Sequence, residues 1–228
     1  MPGHAVWSLC GDPLADDSWF LRDYQRGEPR FYLAHIRRGV ELAGADPAAL
    51  LIFSGAQSMP AAGPRSESTG YWTLAERHEW WGTDVRTRAI TEEFSRDSME
   101  NVLFSICRFH EFTAGWPARI TVAGWGFKVR RFTELHRAAV RFPAARFHYV
   151  GVNDPEDLAA AARQEDATCG AFAADPYGCA GSLAAKRELR NYFRNQHGFS
   201  ISCPELRGLL AHRGPEIYRG PLPWDQGA

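Results

Sequence analysis

Long apolar runs, an excess of one charge and a regular cysteine framework are all missing from this sequence. No stretch of about 18 or more apolar residues occurs, so we expect no membrane-spanning helix. Residues 1–17 contain neither a basic segment nor a long apolar one, and we expect no signal peptide. The formal net charge is −1, so overall charge gives no reason to expect binding to nucleic acid or to an anionic membrane. Any basic site has to be local.

Metal and disulfide chemistry have little support in the sequence. The five cysteines have a spacing that fits neither a zinc ribbon nor a disulfide framework: Cys10, Cys107, Cys169, Cys179 and Cys203. The histidines and carboxylates show no metal-site pattern. We therefore expect reduced thiols, a cytoplasmic protein and no bound metal.

What is present is the composition of an ordinary globular domain. Hydrophobic residues make up 45% and charged residues 23% of the 228 residues, a length that fits one domain. Regular patterns fill the first 165 residues. An irregular segment and a further helical pattern at 182–195 follow. We predict a single domain over residues 1–228, with a core at about 5–165 and a helical or irregular C-terminal appendage at about 166–228.

Strand and helix patterns alternate along the core. Apolar or alternating runs predict strands at residues 5–10, 50–54, 85–90, 118–124 and 146–152. Apolar residues at helical spacing predict helices at residues 29–44, 66–79, 98–114, 127–142 and 154–164. This alternation is typical of βαβ units. The predicted fold class is therefore α/β, a Rossmann-like three-layer arrangement around a parallel sheet.

The loops that follow parallel strands share one edge of the sheet, and ligands bind there. In the first such loop, Ser54 and Gly55 end a strand, and a helix opens at Arg65, Ser66 and Glu67. The free N–H groups and positive dipole of a helix start form an anion seat, and glycine permits close backbone approach. The structural alternative is that Ser66 is only an N-cap and Gly55 only a turn residue.

A second loop, EEFSRDSMEN at 92–101, is rich in carboxylates and hydroxyls. Asp97 and Glu100 have capping-box spacing, which alone explains both residues. Capping does not explain Asn101, which lies one turn inside the helix and could hold a ligand amide or hydroxyl. Glu67, Asp97 and Glu100 are the candidate catalytic carboxylates, as a general base or as ligands of ribose hydroxyls.

A third loop, AGWGFKVRRF at 123–132, places cations at a helix start. Gly124 and Trp125 turn the chain, and Lys128, Arg130 and Arg131 fall in the first helical turns. Cations there oppose the helix dipole by a few tenths of a kcal/mol each, roughly, and a bound anion reverses that cost. The pattern predicts a phosphate or carboxylate site, with Trp125 able to stack on a flat ring. A solvated charged face and a core tryptophan are the alternatives.

The appendage contributes two further features. Four cations recur at helical spacing, either as a solvated face or as a lid over an anionic ligand: Lys186, Arg187, Arg190 and Arg194. Cys179 could act as a nucleophile only with a lowered pKa, and nothing in the sequence indicates one.

Six motifs stand in order along residues 18–205: WFLRDYQRGE at 19–28, SGAQS at 54–58, SESTGYW at 66–72, DSMENVLFSICRF at 97–109, FKVRRF at 127–132 and DPYGC at 175–179. Their order resembles the YdcF-like domain family, of the SanA, ElyC and YdcF type, in its soluble eukaryotic-type branch. The membrane segment of the SanA and ElyC type is missing, so the resemblance does not imply an envelope location.

The resemblance implies a Rossmann-like domain with S-adenosylmethionine as its ligand. With the residues that it adds, the ligand-binding candidates are Ser54, Gly55, Gln57, Arg65, Ser66, Ser95, Asn101, Gly124, Trp125, Lys128 and Arg131. The sequence departs from the family pattern in two loops. Ala56 replaces a glycine, Ser58 replaces a threonine, and Met59 replaces an arginine, which removes an expected anion contact. Trp125-Gly126-Phe127 stands where the family has Phe-Glu-Phe, so an expected carboxylate is missing.

These observations together predict a small-molecule enzyme that is not a standard methyltransferase. We expect it to bind a nucleoside-type or anionic metabolite, with S-adenosylmethionine as the best guess, and to transform it as a transferase or lyase. We expect neither nucleic acid nor membrane as a partner. Two alternatives stay open: a non-catalytic sensor or interaction protein that binds S-adenosylmethionine or a nucleotide, and a phosphoester hydrolase or transferase.

Overall fold

The computed structural model describes residues 5–225, and the two ends of the predicted domain, 1–4 and 226–228, lie outside the described residues. Its strands are β1 Val6–Trp7, β2 Trp19–Phe20, β3 Leu51–Ser54, β4 Ala89–Glu92, β5 Ile120–Trp125 and β6 Phe147–Asn153. Its α-helices are α1 Pro29–Gly44, α2 Glu67–Arg77, α3 Ser98–Thr113, α4 Arg137–Ala139, α5 Leu158–Ala174, α6 Gly181–Leu189, α7 Phe199–Ser202 and α8 Arg207–Ala211.

The strands form three pairs. β1 and β2 are antiparallel, whereas β3 pairs with β4 and β5 pairs with β6 in parallel. In the first parallel pair Leu51 lies opposite Ala89, and Ser54 opposite Glu92. Helix α1 packs against β3 and also against β5 and β6, so one helix contacts both parallel pairs. The chain is thus a mixed α/β protein with parallel strand pairs.

Two of the longest helices begin and end where the sequence predicts. Pro29 opens α1, because its fixed φ suits the first turn and its missing N–H costs nothing there. Asp97 caps α3 by accepting a hydrogen bond from the backbone N–H of Glu100 at 2.9 Å. Helix α3 stops at Ala114, whose left-handed backbone (φ 55°) ends the hydrogen-bond ladder.

The predicted strand at 85–90 is wrong in its first half. Val85–Arg88 forms a 3₁₀ turn, and β4 begins only at Ala89. The reason is Arg88, whose guanidinium donates to three carbonyl oxygens, one in the last turn of α1 and two in the loop after it, at 2.7–3.1 Å. This long-range anchor outweighs the local alternation of side chains.

The helix predicted at 154–164 starts later and runs further. Pro155 lies before the helix, and Asp157 caps α5 by accepting from the N–H of Ala160. The helix continues to Ala174, so residues 167–174, predicted to be irregular, are helical. Alanine has the strongest helix propensity, and the many alanines of this stretch sustain the helix across Gly170.

The helix predicted at 127–142 is present at 126–139 but is not a regular α-helix. It begins with a 3₁₀ turn at Gly126–Lys128, widens to a π-helix at Arg131–His136 and closes with α4. Such π segments are uncommon and concentrate at functional sites. This one begins with Arg131, one of the predicted ligand-binding residues.

Buried side chains form two hydrophobic clusters. One gathers β1, α1, α2 and the first parallel pair around Trp7, Tyr32 and Leu74. The other gathers α3, the helical stretch 126–139 and the C-terminal segments, with Phe132 and Leu206 fully buried. Residues beyond 165 therefore supply a large share of the second cluster. Within residues 5–225, every helix is too short or too polar to cross a bilayer.

Candidate functional site

A cleft of about 870 Å³ opens where the parallel strands end. Ser54 closes β3, Ser95 follows β4, Trp125 closes β5 and Pro155 follows β6, and all four residues line this cleft. Helices α5 and α6 form the opposite wall, and the segment Arg22–Gly27 forms part of the rim. The cleft thus occupies the position at which parallel α/β proteins bind ligands.

Nine of the fourteen predicted site residues line the cleft: Ser54, Gly55, Glu67, Ser95, Asp97, Asn101, Trp125, Lys128 and Arg131. The other five lie outside its lining: Gln57, Arg65, Ser66, Glu100 and Gly124. The fold therefore brings residues from three separate loops together, as the common-edge argument predicts.

Arg65 and Ser66 have structural roles. The Arg65 guanidinium donates to the carbonyls of Ala62 and Ser8, at 2.6 and 3.1 Å, and lies over the Phe20 ring. Ser66 caps α2 by accepting from the N–H of Thr69 at 3.1 Å, so the capping alternative describes it. Arg65 is therefore an anchor for the N-terminal strands rather than an anion contact.

Gln57 and Gly124 also lie away from the cleft. The Gln57 side-chain oxygen accepts from Asn195 Nδ2 at 2.8 Å, which ties the loop after β3 to the segment after α6. Gly124 is buried within β5, one residue before the strand end.

Glycine is required at position 55 because the Glu67 side chain packs directly against its backbone. A Cβ at this position would lie 2.7 Å from Cβ of Glu67, far below van der Waals contact. The Glu67 side chain, 4% exposed, accepts a hydrogen bond from Ser58 and a longer one from Tyr71. The glycine therefore makes room for a buried carboxylate at the floor of the cleft.

Asp97 and Glu100 are held by cations, against the expectation that they are free for catalysis. Arg187 lies 2.7 Å from the Asp97 carboxylate and 3.4 Å from that of Glu100, and Arg96 pairs with Glu100 at 2.5 Å. Burial opposes ionisation of Asp97, but Arg187 and the N-cap hydrogen bond hold its pKa below the ordinary value. Glu100 lines a separate hollow of about 330 Å³ with Cys179.

Trp125 is a core residue with one edge at the cleft. It is 3% exposed, and Phe31, Tyr32 and His35 meet its ring at edge-to-face angles. The predicted stacking of a ligand ring on Trp125 is therefore wrong in this form. Phe31 and Phe127, which are only partly buried, line the cleft beside it and offer the accessible aromatic surface.

Six basic side chains line the cleft, beside six acidic ones. The chain contains only two lysines, Lys128 and Lys186, and both line the cleft together with Arg22, Arg26, Arg131 and Arg190. Burial and the charge of Arg131 lower the pKa of Lys128 to about 7. Burial and the charges of Arg190 and Arg131 lower that of Lys186 to about 8. Within the described chain, neither lysine has a carboxylate oxygen within 4.0 Å.

Helix α6 supplies part of this charge, as the lid alternative predicts. Lys186 and Arg190 face the cleft, and Arg190 also donates to the carbonyl of Arg96 at 2.9 Å. Arg187, between them, turns to Asp97 instead. Arg194 lies beyond the end of α6, so the helix predicted from the spacing of the four cations is about one turn too long.

Arg131 combines an ion pair with an unfilled hydrogen-bond capacity. It is 8% exposed and pairs with Glu165 of α5 at 2.9 Å. Its Nε is buried and has no hydrogen-bond acceptor. An unsatisfied buried donor is costly, so this Nε raises the free energy of the folded chain.

Glu92 is the residue that sequence reasoning left out of the site. It ends β4, is 1% exposed, and accepts hydrogen bonds from Ser54 Oγ and from the N–H groups of Phe94 and Ser95. Burial raises the pKa of its carboxyl to about 7. The sequence does place Glu92 at the end of a strand, which indicates a position at the cleft. The other acidic residues of the same loop gave no reason to prefer it.

Other reactive groups show no site of their own. Burial raises the pKa of Cys179, so its thiol is not activated. Within residues 5–225, the histidine, cysteine and carboxylate side chains form no group able to hold a metal ion.

Comparison with known proteins gives a relative but no function. The chain is 27% identical to the uncharacterized protein YOR238W of Saccharomyces cerevisiae, over 90% of this chain and 87% of the yeast protein. No family model matches the sequence. No solved structure matches either.

Proposed function

We propose that this protein is a small-molecule enzyme that binds an anionic, nucleoside-type metabolite in the cleft at the strand ends and transforms it. The observation that carries the proposal is the convergence of both lysines and four arginines on one cleft. Neighbouring positive charges repel one another, which lowers the pKa values of the lysines and raises the free energy of the ligand-free site. A bound anion would offset this repulsion.

The size and walls of the cleft support a ligand of nucleoside dimensions. Its volume of about 870 Å³ lies at the upper end of the range of small-molecule pockets. The partly exposed rings of Phe31 and Phe127 offer apolar surface to a flat base beside the charged side chains. Asn101 lines the cleft, and since its Nδ2 donates to Ser54 and Ser95, its Oδ1 is the atom that can accept from a ligand hydroxyl.

S-adenosylmethionine is the first ligand to test, because the motif order resembles the YdcF-like family. We place the two parallel strand pairs in a Rossmann-like arrangement on the same grounds, supported by the packing of α1 on both pairs. We also propose a cytoplasmic protein that acts on small molecules, with neither nucleic acid nor membrane as a partner.

A phosphoester hydrolase or transferase is the second candidate, and the number of cations favours it. The single carboxylate of S-adenosylmethionine would engage only part of the cationic set. A diphosphate would engage more of it, because each phosphate offers several strong acceptors.

The test is equilibrium binding followed by a search for product. Wild-type protein is titrated with S-adenosylmethionine and with ADP by calorimetry, and each mixture is then analysed by mass spectrometry. We expect micromolar binding of one compound, with conversion. Lys128→Ala should weaken that binding at least tenfold (about 1.4 kcal/mol).

Arg119→Ala is the matched control. Arg119 precedes β5, pairs with Asp46 at the surface and lies at the opposite end of the strand from the cleft. Equal losses in both variants, or no binding of either compound by the wild type, would refute the proposal. Tight retention without any product would instead favour the sensor.

A further inference from the structure

Four side chains from three elements form one hydrogen-bonded group at the floor of the cleft: Ser54, Glu92, Ser95 and Asn101. Ser54 and Glu92 lie directly opposite each other at the ends of β3 and β4. Ser54 Oγ donates to Glu92 Oε2 at 2.5 Å, and the two serine oxygens lie 3.0 Å apart. Asn101 Nδ2 lies 2.8 Å from Ser54 Oγ and 2.7 Å from Ser95 Oγ.

The chemistry of these groups sets the direction of the hydrogen bonds. An ionised carboxylate only accepts, so the Ser54 proton points to Glu92. The amide nitrogen of Asn101 only donates, so both serine oxygens accept from it. The remaining bond between the serines therefore runs from Ser95 to Ser54. The result is an ordered chain from Ser95 through Ser54 to Glu92.

Ser95 is the member of this chain that can accept from a ligand, because the Ser54 oxygen already accepts from both Asn101 and Ser95, whereas the Ser95 oxygen accepts from Asn101 only. Ser54, Ser95 and Asn101 line the cleft, whereas Glu92 does not and is 1% exposed. The buried carboxylate can therefore exchange a proton with the cleft only through the serine hydroxyls.

We infer that Glu92 is the proton acceptor of this cleft and that it acts through Ser54 and Ser95 on an O–H group seated against Ser95. The inference rests on the proposed function. One proton leaves that O–H group for Ser95 Oγ, the Ser95 proton moves to Ser54, and the Ser54 proton moves to Glu92. The negative charge of Glu92 is thereby replaced by one on the reacting oxygen, in a cleft that both lysines line.

The surroundings of Glu92 suit this role. Its carboxylate has no ion-pair partner within residues 5–225, and burial brings its pKa to about 7. Cys107 on α3 is the titratable group that feels its charge, and that thiol stays protonated because its own pKa is raised. By contrast, Asp97 and Glu100 are committed to Arg187 and Arg96.

The experiment compares Glu92→Gln and Ser95→Ala with the wild type. The substrate is whichever of S-adenosylmethionine or ADP the wild type converts, and kcat and KM are measured from pH 5 to 9. We expect wild-type kcat to rise through a limb near pH 7. Glu92→Gln should lower kcat at least 100-fold and abolish that limb, and Ser95→Ala should lower kcat with KM unchanged within twofold.

Glu93→Gln is the matched control, because Glu93 is the adjacent carboxylate and accepts from Thr91 instead. It should keep both the rate and the limb. Running the reaction in H₂¹⁸O identifies the O–H group: label in the product assigns it to water, and unlabelled product assigns it to the metabolite. A Glu92→Gln variant that retains the wild-type rate and pH limb would overturn the inference.

The Glu92 carboxyl can also be titrated directly by ¹³C NMR in the free protein, without any ligand. A carboxyl that titrates near pH 7 supports the relay, and one that titrates below pH 5 overturns it. Binding without conversion by the wild type overturns the relay but leaves ligand binding intact. Absence of binding overturns the proposed function, and the carboxyl titration then decides the inference by itself.

Discussion

Binding of ADP should cause the two lysines of the cleft to take up protons and become positively charged. In the free protein the pKa of Lys128 is lowered to about 7 by burial and by Arg131, and that of Lys186 to about 8 by burial and by Arg190. At pH 8, roughly a tenth of Lys128 and half of Lys186 are therefore charged. A bound diphosphate favours the charged forms, so it moves both pKa values back towards that of a free lysine, about 10.4.

The magnitude follows from these occupancies. At pH 8 binding should take up to about 0.9 proton onto Lys128 and about 0.5 onto Lys186, or up to about 1.4 protons in all. At pH 6 both lysines are already charged, and the uptake should fall to about 0.1 proton. Because protons are taken up, ADP affinity should decrease as the pH rises through 7 and 8.

The presence of only two lysines makes the assay direct. Protein labelled with [ε-¹³C]lysine gives two lysine signals, which Lys128→Arg and Lys186→Arg assign, and each signal is titrated with and without ADP. Calorimetry at pH 8 in two buffers of different ionisation enthalpy counts the protons taken up. Two lysines that both titrate near pH 10.4 in the free protein would refute the reasoning, as would proton release on binding.

Three further predictions concern residues around the cleft. Gly55→Ala should destabilise the fold by about 1–3 kcal/mol, because the added Cβ would lie 2.7 Å from Cβ of Glu67. Gly170→Ala in α5 adds a methyl group where no atom lies within 4 Å, and it should stabilise the fold by about 0.5–1 kcal/mol. Urea unfolding measures the free energy of unfolding of both variants. Arg65→Ala should cost about 1–3 kcal/mol in the same assay without changing ADP affinity, and a tenfold affinity loss would return Arg65 to the site. Asp97→Asn should destabilise the fold by roughly 1–3 kcal/mol at pH 7, because the buried Arg187 loses its nearer carboxylate and keeps only that of Glu100 at 3.4 Å. Because the pKa of Asp97 is lowered in the folded protein, the ionised side chain stabilises the fold above about pH 4, and this stabilisation is lost as the pH falls through the lowered pKa. The stability difference between Asp97→Asn and the wild type should therefore shrink at pH 3. An equal difference at pH 3 would contradict the ion-pair account.

Local patterns predict the elements whose determinants are local. The bounds of α1 and α3 depend on Pro29, on the Asp97 cap and on a continuous apolar face, all of which can be read from the sequence. The failures come from distant partners. Arg88 turns a strand-like segment into a 3₁₀ anchor by bonding to carbonyls about 40 residues away. The π segment at Arg131–His136 likewise has no local sequence signal.

The candidate site divides in the same way. The topology of parallel strands requires Ser54, Ser95 and Lys128 to meet at one edge, and the structure places them in one cleft. The topology does not determine the direction in which a side chain points. Arg65 lies beside that edge in sequence but points to the N-terminal strands, because the Ser8 carbonyl and the Phe20 ring lie there.

Carboxylates near the cleft show most clearly why residue type alone does not assign a role. Asp97 and Glu100 face arginines, so their charges are neutralised and a proton would have to displace an ion pair. Glu67 is packed beneath Gly55 and bonded to Ser58, which fixes it as part of the floor. Glu92 alone among these four combines burial, no cationic partner within residues 5–225 and a hydrogen-bonded route to the cleft. A carboxyl group in such surroundings exchanges its proton near neutral pH at little cost. The environment, which only the folded chain creates, therefore distinguishes the candidate base from three acids of the same chemistry.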